Sequence, residues 1–299
     1  MHKQTLPEEI IKQIRHIELS SRKLVDTLFS GEYHSAFKGH GIEFAEVRPY
    51  QPGDDVRSID WNVTARIGEP YIKIFDETRE LTVILMVDAS ASGSFGTKDK
   101  FKSELAAEVC ATIAFSAIKN HDKVGLLIFS DHVELYIPPA KGRKHVLRLI
   151  RELLFFTPKG LGTDIKTALD RLNRTVKKKA IVFLVSDFED SGFEKPLRVA
   201  GTRHDIIAVE LSDPAEETLP DAGLITLKDA ETGEEIVVDS SNEEFRWKFQ
   251  RKIKRDKEIL EKLFRSCKID RIKISTGSSP VAPLIKFFKR REKRSLLGR

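Results

Sequence analysis

Five side chains of this sequence have the oxygen atoms and the positions expected of ligands to one divalent cation. They are Asp88, Ser90, Ser92, Thr163 and Asp187. Hydroxyl and carboxylate oxygens suit hard cations such as Mg²⁺ or Mn²⁺, and Mg²⁺ keeps several waters in an octahedral shell. Ser90 and Ser92 can both turn towards one ion, while the two aspartates can bind it directly or through water. Because only two of the ligands are charged, the ion stays electrophilic. A coordination position is expected to remain open for an acidic group from another molecule.

Each part of this set also has a simpler explanation. The motif Asp88-x-Ser90-x-Ser92 can cap a helix by accepting hydrogen bonds from backbone N–H groups, and Thr163 can do the same. Asp187 can simply begin a turn. The joint occurrence of these residues, after two apolar runs and at the start of a helix-like segment, favours a single site for Mg²⁺ or Mn²⁺.

Two common catalytic motifs are absent from the sequence. A nucleophile elbow requires Gly-x-Ser-x-Gly, but Ala89 and Ala91 surround Ser90. The Gly-x4-Gly-Lys-Ser/Thr loop of many nucleotide-binding enzymes does not occur. A metal-dependent phosphatase or hydrolase that uses Asp88 and Asp187 stays open as an alternative. The favoured interpretation is a binding protein without catalytic residues.

The candidate ligands lie between elements that alternate along the chain. Apolar runs typical of buried strands cover residues 81–87, 124–129, 180–185 and 206–211, with a hairpin-like run at 133–137. Helical spacing occurs over residues 99–119, 143–155, 164–175 and 194–200. Buried strands that alternate with helices indicate an α/β fold with a mostly parallel sheet flanked by helices. Such sheets bind ligands at the carboxyl ends of their strands, so the five candidates are expected to converge on one edge.

The pattern predicts four regions along the chain. They are an amphipathic N-terminal helix in residues 1–30, a β-rich elaboration in 31–80, the metal-binding domain in 81–212, and a C-terminal extension in 213–299 that packs on it. Within the second region, Gln51-Pro-Gly-Asp54 predicts a tight turn between strand-like runs. The extension predicts short strands at 224–227 and 235–238, a helix over 242–266, a strand over 269–274 and a helix over 283–291.

The order of these motifs resembles a known family of metal-binding domains. Asp88-x-Ser-x-Ser, then Gly160-x-Gly-Thr, then Ser186-Asp187 is similar to the metal-ion-dependent adhesion site (MIDAS) of von Willebrand factor A domains. The segments Val47-Arg-Pro-Tyr-Gln-Pro-Gly-Asp-Asp55 and Arg57-x-Ile-Asp-Trp61 look like the branch labelled domain of unknown function 58. The resemblance implies a Rossmann-like von Willebrand A fold and a bacterial cytosolic protein. It also implies an adaptor or chaperone-like partner of a MoxR-type AAA+ ATPase.

A second set of residues is a candidate partner-binding surface. It comprises Arg48, Tyr50, Arg57, Trp61 and Phe188. Arg, Tyr and Trp dominate the binding energy of many interfaces. The alternative for the segment around Arg48 and Trp61 is a network of ion pairs and turns that pins it to the main domain. Phe188 stands where many adhesion sites have glycine, so it is expected to narrow access to the metal. His34 and His40 lack a third ligand at zinc spacing and are expected to be ordinary polar residues.

The net charge of +5 is a property of the C-terminus. Residues 286–299 carry a net charge of +6, which leaves −1 for the rest of the chain and does not favour a nucleic-acid-binding protein. Such a basic run is usually solvated, and binding of an anionic membrane or of nucleic acid through this run stays open as an alternative. Phe287 and Phe288 beside the charges make weak contact with anionic lipid the form of it to keep. The N-terminus lacks the pattern of a secretory signal, and Cys110 and Cys267 are expected to be buried thiols. We therefore expect a cytoplasmic protein.

Overall fold

The computed structural model describes residues 33, 36–37, 43–76, 80–96 and 100–297. The helix predicted within residues 1–30, together with His34 and His40, lies outside these residues. Both cysteines are free; Cys110 is buried and Cys267 is partly exposed. Among the described residues, no helix is both long and apolar enough to cross a membrane.

The first described segment is a small antiparallel hairpin with a helix between its strands. Its elements are β1 (Glu43–Pro49), α1 (Trp61–Ile67) and β2 (Tyr71–Asp76). The predicted turn is present, because the Asp54 N–H donates to the Gln51 carbonyl at 3.0 Å and Gly53 has a φ of 110°. Asp60 caps the N-terminus of helix α1 by accepting two backbone N–H groups, and Gly68, which has a φ of 85°, caps its C-terminus. Both ends therefore follow the capping rules that the residue types predict.

A six-stranded sheet forms the centre of the molecule. Its strands are β3 (Thr82–Asp88), β4 (Lys123–Phe129), β5 (Val133–Ala140), β6 (Ile181–Ser186), β7 (Asp205–Ser212) and β10 (Asp270–Ser275). Their order is β10-β7-β6-β3-β4-β5, and every neighbouring pair is parallel except β4 with β5. This arrangement confirms the predicted α/β fold with a mostly parallel sheet flanked by helices.

Helices cover both faces of this sheet. They are α2 (Lys102–Lys119), α3 (Arg143–Leu154), α4 (Ile165–Thr175), α5 (Glu194–Arg203), the single turn α6 (Pro214–Glu217), α7 (Glu243–Ser266) and α8 (Val281–Leu297). Alternate residues of β3 enter different cores: Val83 and Leu85 pack with α2, α3 and α8, whereas Ile84 and Met86 pack with α4, α5 and α7. Burial on both faces explains why the parallel strands are continuous apolar runs.

Residues 286–297 of the basic C-terminal run belong to helix α8, with several of their basic side chains exposed. Phe287 and Phe288 are 3% and 0% exposed, and the Phe288 ring lies 5.7 Å from that of Phe37. The two phenylalanines are therefore unavailable to a lipid surface, which corrects that part of the prediction. On the polar side, Arg294 donates to Asp270 at 2.9 Å and Arg291 pairs with Asp205.

A separate hairpin lies between β7 and α7. It consists of β8 (Leu224–Lys228) and β9 (Glu235–Asp239), which pair antiparallel outside the central sheet. The Asp229 side chain accepts the backbone N–H groups of Glu231 and Thr232 at the tip, and Gly233 has a φ of 74°. This tip reaches the candidate site.

Candidate metal centre

The first part of the site is the loop that follows β3. Asp88 ends the strand, and its Oδ1 accepts the backbone N–H of Ser90 at 2.9 Å. The hydroxyls of Ser90 and Ser92 are 3.0 Å apart. This Asx-type turn brings both hydroxyls to the same side of the loop, beside the carboxylate of Asp88. Three of the five predicted ligands are thus neighbours.

Asp187 joins them because β6 lies next to β3 in the sheet. The two parallel strands end at the same edge, and Ser186 donates its hydroxyl proton to Asp88 Oδ2 at 2.7 Å. A small cavity of about 20 Å³ lies between the two loops and is lined by Asp88, Ser90, Ser92, Ser186 and Asp187, among others. A cavity of this size holds one ion or one water. Ser186 was not among the predicted ligands, although its place between a buried strand and Asp187 is a usable signal.

Lys102 is an unpredicted member of the site. Its Nζ donates to Asp187 Oδ2 at 3.1 Å and also pairs with Glu216 of α6. The residue is 2% exposed although it is the first residue of α2. Burial alone would lower the pKa of Lys102, but the carboxylates of Asp187 and Glu216 outweigh it and raise the pKa. An ammonium charge therefore lies in the cavity beside the candidate ligands.

Asp88 is in an environment that disfavours its charged form. Burial raises the pKa of Asp88 to about 6, against the opposing hydrogen bonds from Ser186 and Ser90. The nearby Asp187 carboxylate adds to the rise. A positive charge within a few ångströms favours the ionised form of a carboxylate. The neighbouring carboxylates of Asp88 and Asp187, both largely shielded from solvent, thus form a place where a cation is electrostatically favoured.

Thr163 lies at the rim of the site rather than in the small cavity. Its hydroxyl donates to Glu231 Oε1 at 2.7 Å, at the tip of the β8–β9 hairpin. The loop before α4 is nonetheless tied to the loop after β3, because the Ala91 N–H donates to the Leu161 carbonyl at 2.9 Å. Thr163, Asp187 and Glu231 together border a larger cavity of about 730 Å³ that extends towards α7.

The donor set fits a hard cation. Among the described residues there is no group of three or more His, Cys, Asp or Glu that could hold a metal. A site built from two carboxylates and two or three hydroxyls does not need such a group, and oxygen-only ligands suit Mg²⁺ or Mn²⁺. Lys102 shows that the cavity stabilises positive charge, and its ammonium group competes with any bound cation for Asp187.

The predicted partner-binding residues lie in different environments. Arg48 makes two hydrogen bonds to the Asp54 carboxylate, at 2.7 and 2.8 Å, as the ion-pair alternative predicts. Trp61 is 68% exposed on the outer face of α1 and remains available for a partner. Phe188 corrects the prediction, since it is 5% exposed and its ring lies 5.1 Å from that of Phe264. The Phe188 ring packs in the core with Phe264 and also lines the wall of the cavity of about 730 Å³ that borders Asp187.

Three comparisons place the chain among known proteins. The uncharacterized protein Rv1480 of Mycobacterium tuberculosis is 32% identical over 290 residues, which cover 95% of this chain and 90% of that protein. The uncharacterized protein YeaD of Bacillus subtilis is 30% identical over 114 residues, or 38% of this chain and 26% of YeaD. Among solved structures, the conserved hypothetical protein BatB from Bacteroides thetaiotaomicron has a TM-score of 0.47 and 16% identity, and covers 71% of this chain and 99% of its own.

The family model described as "Protein of unknown function DUF58" matches residues 46–259. The match covers more than half of the chain, from β1 into α7, and includes all five predicted metal ligands. This chain belongs to the DUF58 family.

Proposed function

We propose that this chain is a protein-binding module that uses one divalent cation to recognise an acidic side chain of its partner. Asp88, Ser90, Ser92 and Asp187 would hold the cation, Mg²⁺ or Mn²⁺, with Thr163 at the rim. The observation that carries the proposal is the 3.0 Å approach of the two serine hydroxyls beside the carboxylates of two neighbouring strands. The bound cation supplies a hard, electrophilic position that accepts a carboxylate oxygen.

The residues around the site define how a partner reaches it. The cavity of about 730 Å³ between Thr163, Asp187 and α7 is wide enough for an acidic side chain and its backbone. Glu231 already presents a carboxylate to Thr163 in this cavity. Lys102 balances the charge of Asp187 when no divalent cation is bound, so binding requires its ammonium group to move away. Recognition of a partner therefore depends on replacement of the Lys102 ammonium group by the divalent cation, as well as on the shape of the cavity.

The partner we propose is a MoxR-type AAA+ ATPase or one of its client proteins. The Val47–Asp55 and Arg57–Trp61 segments resemble the domain of unknown function 58 family, and that resemblance implies a MoxR-type partner. The exposed Trp61 on α1 offers a contact surface for it. The chain would then act in the cytoplasm as an adaptor or chaperone-like factor. We propose no catalytic role, and phosphatase and nucleotidase assays with Mg²⁺, using an S90A and D187A double variant as the blank, should find no difference in turnover.

Direct titration of the cation tests the proposal. We expect Mn²⁺ to bind with one site per chain by isothermal titration calorimetry, and the Ser90→Ala, Ser92→Ala double variant to lose that binding. The matched control is Ser278→Ala, which removes an exposed hydroxyl that donates to the Ser275 carbonyl, outside the candidate site. Equal Mn²⁺ binding by the wild type and the double variant would remove the two hydroxyls from the site.

The same variants then test recognition of a partner. The purified MoxR-type ATPase of the same organism should bind the wild type and S278A in Mg²⁺, and binding should be lost in EDTA or in Asp88→Ala. Circular dichroism checks that each variant is folded. A complex that survives both EDTA and D88A would contradict metal-dependent recognition.

A further inference from the structure

Strand β10 has an open edge. It is the last strand of the central sheet, paired with β7 on one side, and no strand among the described residues pairs with its other side. A strand that is paired on one side leaves alternate backbone N–H and C=O groups pointing outwards, where they can pair with another extended chain. This edge lies at one side of the sheet and is not part of the metal site between β3 and β6.

A groove runs along this edge between two helices. Five consecutive residues, Ile269–Lys273, line it together with residues of α7 and α8, and its volume is about 770 Å³. Phe264 of α7 and Phe287 of α8 also line the groove, and both side chains are almost fully buried. The groove thus combines a free strand edge, two helical walls and an apolar base.

The charges around the groove are strongly unbalanced. Two acidic residues line it, Glu261 and Asp270. The basic residues that line it are Arg265, Arg271, Lys273, Lys286, Arg290 and Arg294. Several are neutralised locally, since Arg265 pairs with Glu261 and Arg271 with Glu210. Lys273 and Lys286 are exposed and make no ion pair with the other described residues. The groove therefore keeps a positive potential that attracts an acidic segment.

We propose that this groove binds an extended acidic segment of a partner protein, which adds to the sheet as a strand beside β10. Backbone hydrogen bonds to the strand edge would provide the common part of the affinity, and alternate acidic side chains would meet the lysines of the rim. The six residues of β10 set the length of the paired segment. A flat membrane surface or a nucleic-acid duplex fits the geometry less well, because neither can reach a strand edge at the floor of a groove.

Three peptides test the strand-addition mode on the full chain by fluorescence anisotropy. The first is a labelled ten-residue peptide that alternates Glu and Val, the second has Lys in place of Glu, and the third is the acidic peptide with alternate backbone amides methylated. We expect the acidic peptide to bind, the Lys peptide not to bind, and methylation to weaken binding by at least about tenfold, since it removes strand hydrogen bonds. Equal binding of the methylated peptide would overturn the proposal in favour of simple charge attraction.

Two double variants locate the binding. Lys273→Glu with Lys286→Glu reverses the unpaired rim charges, and Lys178→Glu with Lys179→Glu makes the same charge change in an exposed loop outside the groove. We expect the first pair to weaken acidic-peptide binding by about tenfold or more and the second to change it far less. Equal losses would place the peptide elsewhere, as would hydrogen exchange at the β10 amides that is unchanged by the peptide.

Two further measurements separate the groove from the other functions considered. Peptide binding should persist in EDTA and in D88A, since the groove does not use the metal site. Anionic phospholipid vesicles and duplex DNA serve as competitors. Tighter binding to either of these than to the acidic peptide would show that the basic surface serves a different class of partner and would overturn the proposal.

Discussion

Replacing Lys102 by Met tests whether its ammonium group and a divalent cation occupy the site as alternatives. The Lys102 side chain is 3% exposed, and its Nζ lies 3.1 Å from Asp187 and also contacts Glu216. Methionine keeps the unbranched apolar stem and removes the charge. The buried carboxylate of Asp187 and the half-buried carboxylate of Glu216 then lose their counter-ion, and a bound divalent cation would restore a positive charge beside Asp187.

The size of the effect follows from the geometry. At the 3.1 Å separation of Lys102 and Asp187, two unit charges attract by about 5 kcal/mol for an effective dielectric constant of about 20. Removing one partner of a buried pair lowers stability by about 3–5 kcal/mol, because the other charge is left uncompensated. Taking about 3 kcal/mol, and about 2 °C per kcal/mol for a chain of this size, we expect the melting temperature of K102M in EDTA to fall by about 6 °C.

Differential scanning fluorimetry measures the melting temperature of K102M and of the wild type, first in EDTA and then in Mg²⁺ or Mn²⁺. The metal should raise the melting temperature of K102M more than that of the wild type, since the variant has no competing ammonium group. The control is Lys100→Met, whose exposed ion pair with Glu108 should contribute less than about 1 kcal/mol and should not respond to metal. If K102M loses stability and neither metal restores it, Lys102 is the permanent cation of this site and the metal proposal is wrong.

Three other changes give separate tests of the site and its surroundings. Glu231→Ala removes the acceptor of the Thr163 hydroxyl, so hydrogen exchange at the tip of the β8–β9 hairpin should become faster; unchanged exchange would show that this contact does not hold the tip. In Gly160→Ala, the new Cβ would lie 2.5 Å from the Ser130 hydroxyl, and we expect a loss of about 1–3 kcal/mol in urea unfolding, whereas Gly162→Ala has its nearest contact at 3.6 Å and should unfold like the wild type. Burial raises the pKa of Asp122 to about 6, above about 3.9 for an unfolded aspartate, so its contribution to stability is complete below about pH 4 and is lost as the pH rises through 6. Asp122→Asn keeps an acceptor for the Leu81 N–H and should exceed the wild type in unfolding free energy increasingly from pH 4 to 7; a constant difference across this range would refute the assignment.

The fold was predictable because its strands are buried on both faces. The run at residues 81–87 predicted β3 to within one residue at each end, and the run at 180–185 did the same for β6. An unbroken apolar run of this length, between turn residues and helical spacing, has few alternatives. The same logic placed Asp88 and Asp187 at one edge of the sheet, since parallel neighbours end together.

The side-chain contacts that other parts of the chain make with the candidate ligands could not be predicted from the apolar runs. Lys102 and Asp187 are 85 positions apart, and a lysine at the start of a helix is ordinarily solvated. The contact between Thr163 and Glu231 joins positions 68 apart through a hairpin whose placement depends on the finished sheet. Phe188 was expected at an exposed partner surface but is 5% exposed, and its left-handed backbone, with a φ of 62°, is rare for a bulky residue and has no signal in the sequence.

The division of the site between β3 and β6 has a consequence for the molecule as a whole. Ser186 and Asp88 are 98 residues apart in the chain and meet only when the two strands are aligned. The unfolded chain therefore has no version of this site, and anything that binds there is linked by mass action to the folding equilibrium of the whole sheet. Binding of a single ion in this cavity would therefore stabilise the whole central sheet and both hydrophobic cores against unfolding.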